Sequence, residues 1–168
     1  MDVSITAVTA ADVTSVVALA RHVWEQTYPG IISREQIEFM LKQRYDPHRV
    51  LEELSMPQLW WEQVRVDAQL AGFACSLITA RGEMKIDKLY VDPQRQRSGL
   101  GRRLLEGIAH RAMATGCTQL VLAVNKRNEH AIAAYRTYGF RVREAVCVDI
   151  GGGFVMDDFI MAKPLAGS

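Results

Sequence analysis

A short segment of the chain combines arginines and glycines in a pattern that could bind an anion. It reads VDPQRQRSGLGRRLL over residues 91–105 and holds four arginines and two glycines. A strand ending near Val91 and a helix beginning near Gly99 would leave backbone N–H groups free to bind a phosphate. Glycine would let the backbone approach that ligand closely. An exposed arginine-rich turn would look the same, and neither familiar phosphate loop, GxxxxGKS/T or GxGxxG, is present.

Composition limits the partners that this segment could serve. The chain has 168 residues, 20 basic and 19 acidic side chains, and a net charge of +1, so we expect no nucleic-acid partner. No run approaches the ~20 apolar residues of a membrane span, and the N-terminus lacks a signal-peptide pattern. We therefore expect no membrane partner and a cytoplasmic location. The three cysteines form no CxxC pair and the four histidines show no ligand spacing, so no metal site is expected.

Hydrophobic periodicity predicts the elements that position this segment. Helices are expected over residues 9–28 and 33–45, from Pro47 onward, and over 99–116 and 128–140. Strands are expected over residues 60–66, 70–78, 83–91, 119–124, 141–150 and 154–165. The order of helices, three strands, helix, strand, helix and two strands predicts an α/β fold, with a mixed sheet and helices packed on it.

Two motifs in this order resemble those of the GNAT superfamily of N-acetyltransferases. LYVDPQRQRSGLGRRLL is similar to its acetyl-CoA-binding motif, a strand ending V-x-P followed by Q/R-x-x-G-x-G/A opening a long helix. Three residues fill the defining positions: Gln96, Gly99 and Gly101. LVLAVNKRNEHAIAAYRTYGF is similar to the following strand and N-x-x-A-x-x-x-Y-x-x-x-G-F, with matches at Asn128, Ala131, Tyr135, Gly139 and Phe140.

This resemblance implies a fold and a division of the chain. It covers roughly residues 60–163 and implies a central, mostly antiparallel sheet of six to seven strands with helices on both faces. Residues 1–168 would form a single N-acetyltransferase domain. Within it, residues 1–58 would be a helical acceptor-side region and residues 59–163 the acetyl-CoA-binding core.

The resemblance also implies contacts to acetyl-CoA as co-substrate. Backbone amides of one continuous run would hold the pyrophosphate: Gln96, Arg97, Ser98, Gly99, Leu100 and Gly101, with Arg102 just inside the helix. Backbone groups of Leu89 and Val91 would pair with the pantetheine arm, and the Leu89 N–H would polarise the thioester carbonyl. Asn128 would bond the pantetheine amide, although Asn also suits the N-cap of the helix that begins there.

Proton transfer needs an acid for the departing thiolate and a base for the amine. By the resemblance, Tyr135 is the general acid, whereas the local sequence alone favours a core tyrosine. An alkyl ammonium has a pKa of about 10, so it must lose a proton before attack. Provided that no bulge intervenes, strand alternation places four side chains together: Glu83, Lys85, Asp87 and Leu89. Asp87 is our first candidate for the general base and Glu83 the second, with a plain polar strand face as the alternative.

The end of the chain narrows the resemblance. MDDFIMAKPL at 156–165, together with KLYV at 88–91, looks like the PaiA-like polyamine acetyltransferases, which typically carry Glu where this chain has Lys85. Asp157 and Asp158 could attract a cationic amine, or could be exposed acids of a final hairpin. Five aromatic residues could line an acceptor wall or fill the core: Trp24, Tyr28, Tyr45, Trp60 and Trp61.

The resemblance thus implies an acetyl-CoA-dependent N-acetyltransferase that transfers acetyl directly to a primary amine of a small molecule or a peptide. Direct attack is expected because no cysteine lies in either motif. A non-catalytic acetyl-CoA-sensing module and an acyltransferase for longer acyl-CoA are the alternatives. A homodimer formed through a sheet edge or the C-terminal hairpin is compatible with the sequence.

Overall fold

The computed structural model describes residues 1–80 and 82–165. Its strands are β1 Val3–Ala7, β2 Leu59–Val66, β3 Gln69–Ala80, β4 Glu83–Val91, β5 Gln119–Asn125, β6 Arg141–Gly151 and β7 Phe154–Pro164. Its helices are α1 Val13–Thr27, α2 Arg34–Tyr45, α3 Pro47–Glu53, α4 Leu100–Ala114 and α5 Glu129–Thr137, with 3₁₀ turns at Ala10–Asp12 and Pro93–Arg95. No helix in these ranges is long and apolar enough to cross a membrane.

The strands form one sheet in the order β1-β2-β3-β4-β5-β7-β6. Only β4 and β5 pair in parallel, and every other neighbouring pair is antiparallel. The predicted mixed, mostly antiparallel sheet of six to seven strands is therefore confirmed.

Strand β1 was not predicted, and it lies within residues 1–58, for which the resemblance implied a helical acceptor-side region. It adds to the edge of the sheet by pairing antiparallel with β2, from Val3 opposite Val66 to Ala7 opposite Glu62. Five residues with only two large apolar side chains give a weak periodic signal, so the pairing partner decides this strand.

Helices cover both faces of the sheet, because alternate strand residues point to opposite sides. On one face, α4 and α5 bury Leu104, Ile108 and Ile132 against the sheet. On the other, α1, α2 and α3 enclose a second core around Trp24 and Phe73. The α2 N-terminus is capped by Ser33, whose hydroxyl accepts a hydrogen bond from the Gln36 N–H.

A β-bulge at Asp87 divides β4 into two segments. Cys75 of β3 lies opposite Lys88 while the next residue, Ser76, lies opposite Ile86, which leaves Asp87 as the extra residue. The bulge reverses the alternation: Ile86 and Leu89 both pack on the α4 side, although they are three residues apart. The sequence placed Leu89 on the same side of β4 as Glu83 and Lys85 provided that no bulge intervenes. A bulge does intervene, so the prediction for Leu89 is wrong.

Strands β4 and β5 pair in parallel only through their first three residues. Residues Glu83–Lys85 pair with Gln119–Val121, whereas β4 continues to Val91 and β5 to Asn125. From Ile86 onward, β4 has no partner strand on this side within the described residues. The two strands therefore diverge and open a gap in the middle of the sheet.

Candidate active site

A cleft of about 590 Å³ occupies this gap between β4 and β5. Helices α1 and α2 and their connecting loop form one wall, and the beginning of α5 and part of β7 complete the lining. Six of the predicted site residues line the cleft: Asp87, Leu89, Val91, Gln96, Asn128 and Tyr135. The sequence motifs and the divergence of the strands therefore meet at one place.

The glycine–arginine segment forms an open N-terminus for α4. Gly99 is the N-cap residue, with a left-handed φ of 81°, and its helix end receives no side-chain cap. A Cβ at Gly99 would meet nothing within 4 Å, and one at Gly101 would meet only a methyl group of Val91 at 3.7 Å. The first N–H groups of α4 are thus free of a side-chain partner and accessible to an anion.

Two of the four arginines of this segment, Arg95 and Arg102, contact other surface side chains. Arg102 forms an exposed ion pair with Glu106 at 3.3 Å, and Arg95 donates a hydrogen bond to the Gln69 side chain at 2.8 Å. The Ser98 hydroxyl donates to the Arg95 carbonyl, which closes the turn locally. Gln96 donates from Nε2 to the Val91 carbonyl at 3.4 Å and lines the cleft, whereas residues 97–102 lie outside its lining.

The backbone of β4 beyond the bulge is available on the cleft side. Leu89 and Val91 direct their side chains into the core beneath α4. Their main chain runs along the edge that β5 has left. The Val91 carbonyl accepts from Gln96 there, and the remaining polar groups on that side need a partner from outside the sheet. An extended ligand arm could supply this partner by adding as a strand.

Tyr135 projects from α5 towards the cleft. Its ring packs edge-on against Phe140 at a centroid distance of 5.6 Å. Burial raises the pKa of Tyr135 to about 12. On the opposite wall the hydroxyls of Tyr28 and Tyr90 hydrogen-bond to each other at 2.9 Å. Burial raises the pKa of both phenols, and the charge of the nearby Tyr135 phenolate would raise them further.

Asn128 begins α5 as its sequence predicts. Its side chain accepts a hydrogen bond from the Ala131 N–H at 3.3 Å, which identifies it as the N-cap. Arg127, one residue earlier, donates to the carbonyls of Gly30 and Ile31 in the loop between α1 and α2. These contacts hold the two sides of the cleft together.

Asp87 lies in the cleft, but cations surround its carboxylate. Lys88 Nζ lies 2.6 Å from one oxygen, and Arg44 and Lys85 lie 3.6 and 3.7 Å from the other. Burial alone would raise the pKa of Asp87, but the charges of Arg44, Lys88 and Lys85 outweigh it and hold the pKa well below its usual range. A carboxylate stabilised in this way has little affinity for a proton.

Glu83 is separated from the cleft. It lies at the beginning of β4, where its side chain accepts hydrogen bonds from Gln119 at 2.7 Å and Arg143 at 3.0 Å. It is not part of the cleft lining. Of the two candidates for the general base, Asp87 therefore lies in the cleft, whereas Glu83 lies outside it at the first residue of β4.

Asp158 of β7 is a functional candidate that the sequence left undecided. It is only 3% exposed, whereas its neighbour Asp157 is exposed, so the picture of two exposed hairpin acids holds for Asp157 alone. Asp158 lines the cleft, and its Oδ1 atom has no hydrogen-bond partner among the described residues. Burial raises the pKa of Asp158 to about 6. The acidic pair in MDDF was the only available signal, and it did not reveal which acid is buried.

The predicted aromatic wall divides between the cleft and the core. Trp24 and Tyr28 line the cleft. Tyr45 and Trp61 lie in the core beneath α1 and α2, where Lys88 Nζ lies 5.5 and 5.1 Å from their ring centroids. Trp60 instead packs against Arg111. In the described part of the chain, no cluster of His, Cys, Asp and Glu has the arrangement of a metal site.

Comparison with known proteins agrees with this geometry. Spermidine N(1)-acetyltransferase of Thermoplasma acidophilum is 26% identical over 161 residues, covering 94% of this chain and 97% of that protein. The [Ribosomal protein bS18]-alanine N-acetyltransferase of Escherichia coli is 36% identical over 78 residues, which are 46% of this chain and 52% of that enzyme.

A solved structure extends the likeness to three dimensions. PaiA N-acetyltransferase from Thermoplasma acidophilum, in complex with coenzyme A, superposes with a TM-score of 0.85 at 27% identity, covering 98% of this chain and 99% of that chain. The model of the acetyltransferase (GNAT) family matches residues 18–140, which include the open N-terminus of α4 and Tyr135. The chain therefore belongs to the GNAT family of acetyltransferases and uses acetyl-CoA as its acetyl donor.

Proposed function

We propose that this protein transfers the acetyl group of acetyl-CoA directly to a primary amine bearing a single positive charge. One observation carries the proposal. A single cleft contains the edge of β4 that no strand pairs with, the Tyr135 side chain and the buried carboxylate of Asp158. A protein that only sensed acetyl-CoA would need the first of these features alone.

The donor half of the reaction uses backbone groups. The open N-terminus of α4 holds the pyrophosphate, and the free edge of β4 pairs with the pantetheine arm. The thioester then lies beside Leu89, whose N–H stabilises the negative charge that develops on its carbonyl oxygen. Asn128 contributes from the opposite side of the cleft.

The transfer itself needs no acetylated enzyme. The amine nitrogen attacks the thioester carbon, and the C–S bond breaks as the tetrahedral intermediate collapses. Tyr135 donates its proton to the departing thiolate. None of the three cysteines lines the cleft, and burial raises the pKa of Cys75 to about 12, so no described thiol is suited to carry the acetyl group.

The charges around the acceptor side favour one ammonium group over several. Arg44, Lys85 and Lys88 surround Asp87, and Asp158 is the additional carboxylate. A polyamine would bring a second positive charge close to these three cationic side chains, and the charges would repel each other. A monoamine or a peptide N-terminus carries no second positive charge. Lys85, at the position where PaiA-like proteins typically carry Glu, adds to the positive side.

The test is free-thiol release from acetyl-CoA across a matched panel of amines. The panel contains spermidine, a primary alkyl monoamine of similar length, an amino acid, and a tripeptide with either a free or an acetylated N-terminus. We expect release with at least one singly charged amine and weaker release with spermidine. Stronger release with spermidine would refute the charge argument. Saturable binding of acetyl-CoA without release on any amine would favour a sensing module, and faster release from longer acyl-CoA would favour a different acyl donor.

A further inference from the structure

Asp158 is buried without a partner at the cleft. It lies opposite Asn125, the last residue of β5, and on the same side of β7 as Met156, which also lines the cleft. Although only 3% of the residue is exposed, its Oδ1 atom receives no hydrogen bond from the described residues. A buried carboxylate oxygen without a donor is unfavourable, so a ligand that supplies one should bind there.

The charged groups that face Asp158 form their salt bridges with other residues, although the buried Nε atom of Arg44 has no hydrogen-bond partner among the described residues. Arg44 of α2 and Lys85 of β4 contact Asp87, and Lys126, which follows β5, forms a 2.6 Å ion pair with Asp157. These cations lie near enough to act on Asp158 electrostatically, yet none forms a salt bridge with it in the described structure. Glu129 of α5, which also lines the cleft, is exposed.

We propose that Asp158 binds the ammonium group of the acceptor and removes one of its protons. This inference rests on the proposed function and specifies the class of acceptor. Because the carboxylate is buried, the nitrogen must reach it on a slender, unbranched stem, as in a primary alkyl amine. A secondary or α-branched amine would have to fit additional atoms beside the buried carboxylate of Asp158.

The proton and electron balance is complete. The ammonium transfers one proton to the Asp158 carboxylate, and the lone pair left on nitrogen forms the new C–N bond. The C–S electrons leave with sulfur, which takes the Tyr135 proton to give CoA thiol. The N-protonated amide returns a proton to the Tyr135 phenolate, and Asp158 releases its own proton to solvent. The net products are the acetylated amine, CoA and one proton.

The raised pKa of Asp158, about 6, is consistent with this role. Such a carboxyl is ionised at neutral pH and still accepts a proton more readily than an ordinary aspartate. Asp87 has the opposite property, because Arg44, Lys88 and Lys85 hold its pKa down.

The test compares Asp158→Asn with Asp157→Asn, which changes the exposed neighbouring acid. We expect Asp158→Asn to lower kcat/KM near neutral pH by about 10²–10³-fold. Its deficit should shrink as the pH approaches the pKa of the amine, about 10, where the free amine needs no base. Wild type and Asp157→Asn should both show a break near pH 6, below which activity falls. The activity of Asp158→Asn should instead fall steadily with decreasing pH and show no break near pH 6, because its reaction depends on the free amine alone. Equal activities and equal pH profiles for the two variants would overturn the proposal.

A binding measurement separates this inference from the proposed function. With CoA in place of acetyl-CoA no transfer occurs, and n-butylamine can be titrated by calorimetry into each protein. Loss of one charge-assisted contact should weaken n-butylamine binding to Asp158→Asn by about tenfold or more. Unchanged affinity would refute the role of Asp158 even if wild type were inactive on every amine. Absence of thiol release with wild type would refute only the proposed function.

Discussion

Replacement of Asp158 by Asn should stabilise the fold relative to wild type as the pH rises. The pKa of this carboxyl is 3.8 in its ordinary state, and burial raises it to about 6 in the folded protein. The folded state therefore binds this proton more tightly than the unfolded state does. The corresponding stabilisation is complete below pH 3.8 and is lost as the pH rises through about 6.

The size of the effect follows from these two pKa values. The ionised carboxyl destabilises the fold by roughly 1 kcal/mol near pH 4.5 and by about 3 kcal/mol near pH 8. Asn does not titrate, so any fixed difference in packing or hydrogen bonding is the same at both pH values. The stability of Asp158→Asn relative to wild type should therefore increase by about 2 kcal/mol between them.

Urea unfolding of wild type, Asp158→Asn and Asp157→Asn at the two pH values measures this difference. Asp157→Asn provides the control, because Asp157 is exposed. Removing its charge breaks its pair with Lys126 and takes away an influence on the pKa of Asp158 that is smaller than that of burial. The reasoning is refuted if the difference between Asp158→Asn and wild type does not change with pH, or if it decreases. Either result would mean that the buried carboxylate is stabilised in the fold, and the case for an unsatisfied site would fail with it.

Three further substitutions, one of them with a matched control variant, test other parts of the site. Tyr135→Phe should lower kcat by about 10²-fold without changing the Kd of acetyl-CoA, and an equal kcat would exclude Tyr135 as the acid. Gly101→Ala should stabilise α4 by up to about 1 kcal/mol yet weaken CoA binding by about tenfold, since the ligand must approach the backbone closely. Gly107→Ala, on the exposed face of the same helix, should give the stabilisation alone, and equal CoA affinities for these two variants would contradict the close approach. Lys88→Met should lower the free energy of unfolding by about 3 kcal/mol in urea, because Asp87 then loses a buried partner; unchanged stability would show that the pair contributes nothing.

The parts of the fold that local pattern controls could be predicted from sequence. Helix α4 follows from apolar residues at helical spacing behind Gly99, and the Asn128 cap follows from the preference of Asn for that position. The order of the later strands and helices, and their joining into one mixed sheet, follow from the same periodic signals.

The parts that depend on distant partners could not be predicted. Register with β3 produces the bulge at Asp87, and nothing within KIDKLYV indicates it. Pairing with β2 creates β1, whose own five residues carry little signal. Asp158 is buried where β7 pairs between β5 and β6 and borders the cleft, whereas the sequence shows only two adjacent acids.

The bulge also explains why Asp87 and Asp158 differ in chemistry. By inserting Asp87 as an extra residue, it leaves that carboxylate among Arg44, Lys85 and Lys88. It also places Lys88 Nζ over the Tyr45 and Trp61 rings of the core beneath α1 and α2. Those cations are then engaged with Asp87, and Asp158 stays buried without a counter-ion. Two carboxylates in one cleft thus have pKa values shifted in opposite directions, a pattern that separates a structural or orienting acid from a proton-transfer group. Asp87, on the strand that leads into the cofactor motif, is therefore the weaker candidate for the base, and Asp158, contributed by the last strand, is the stronger.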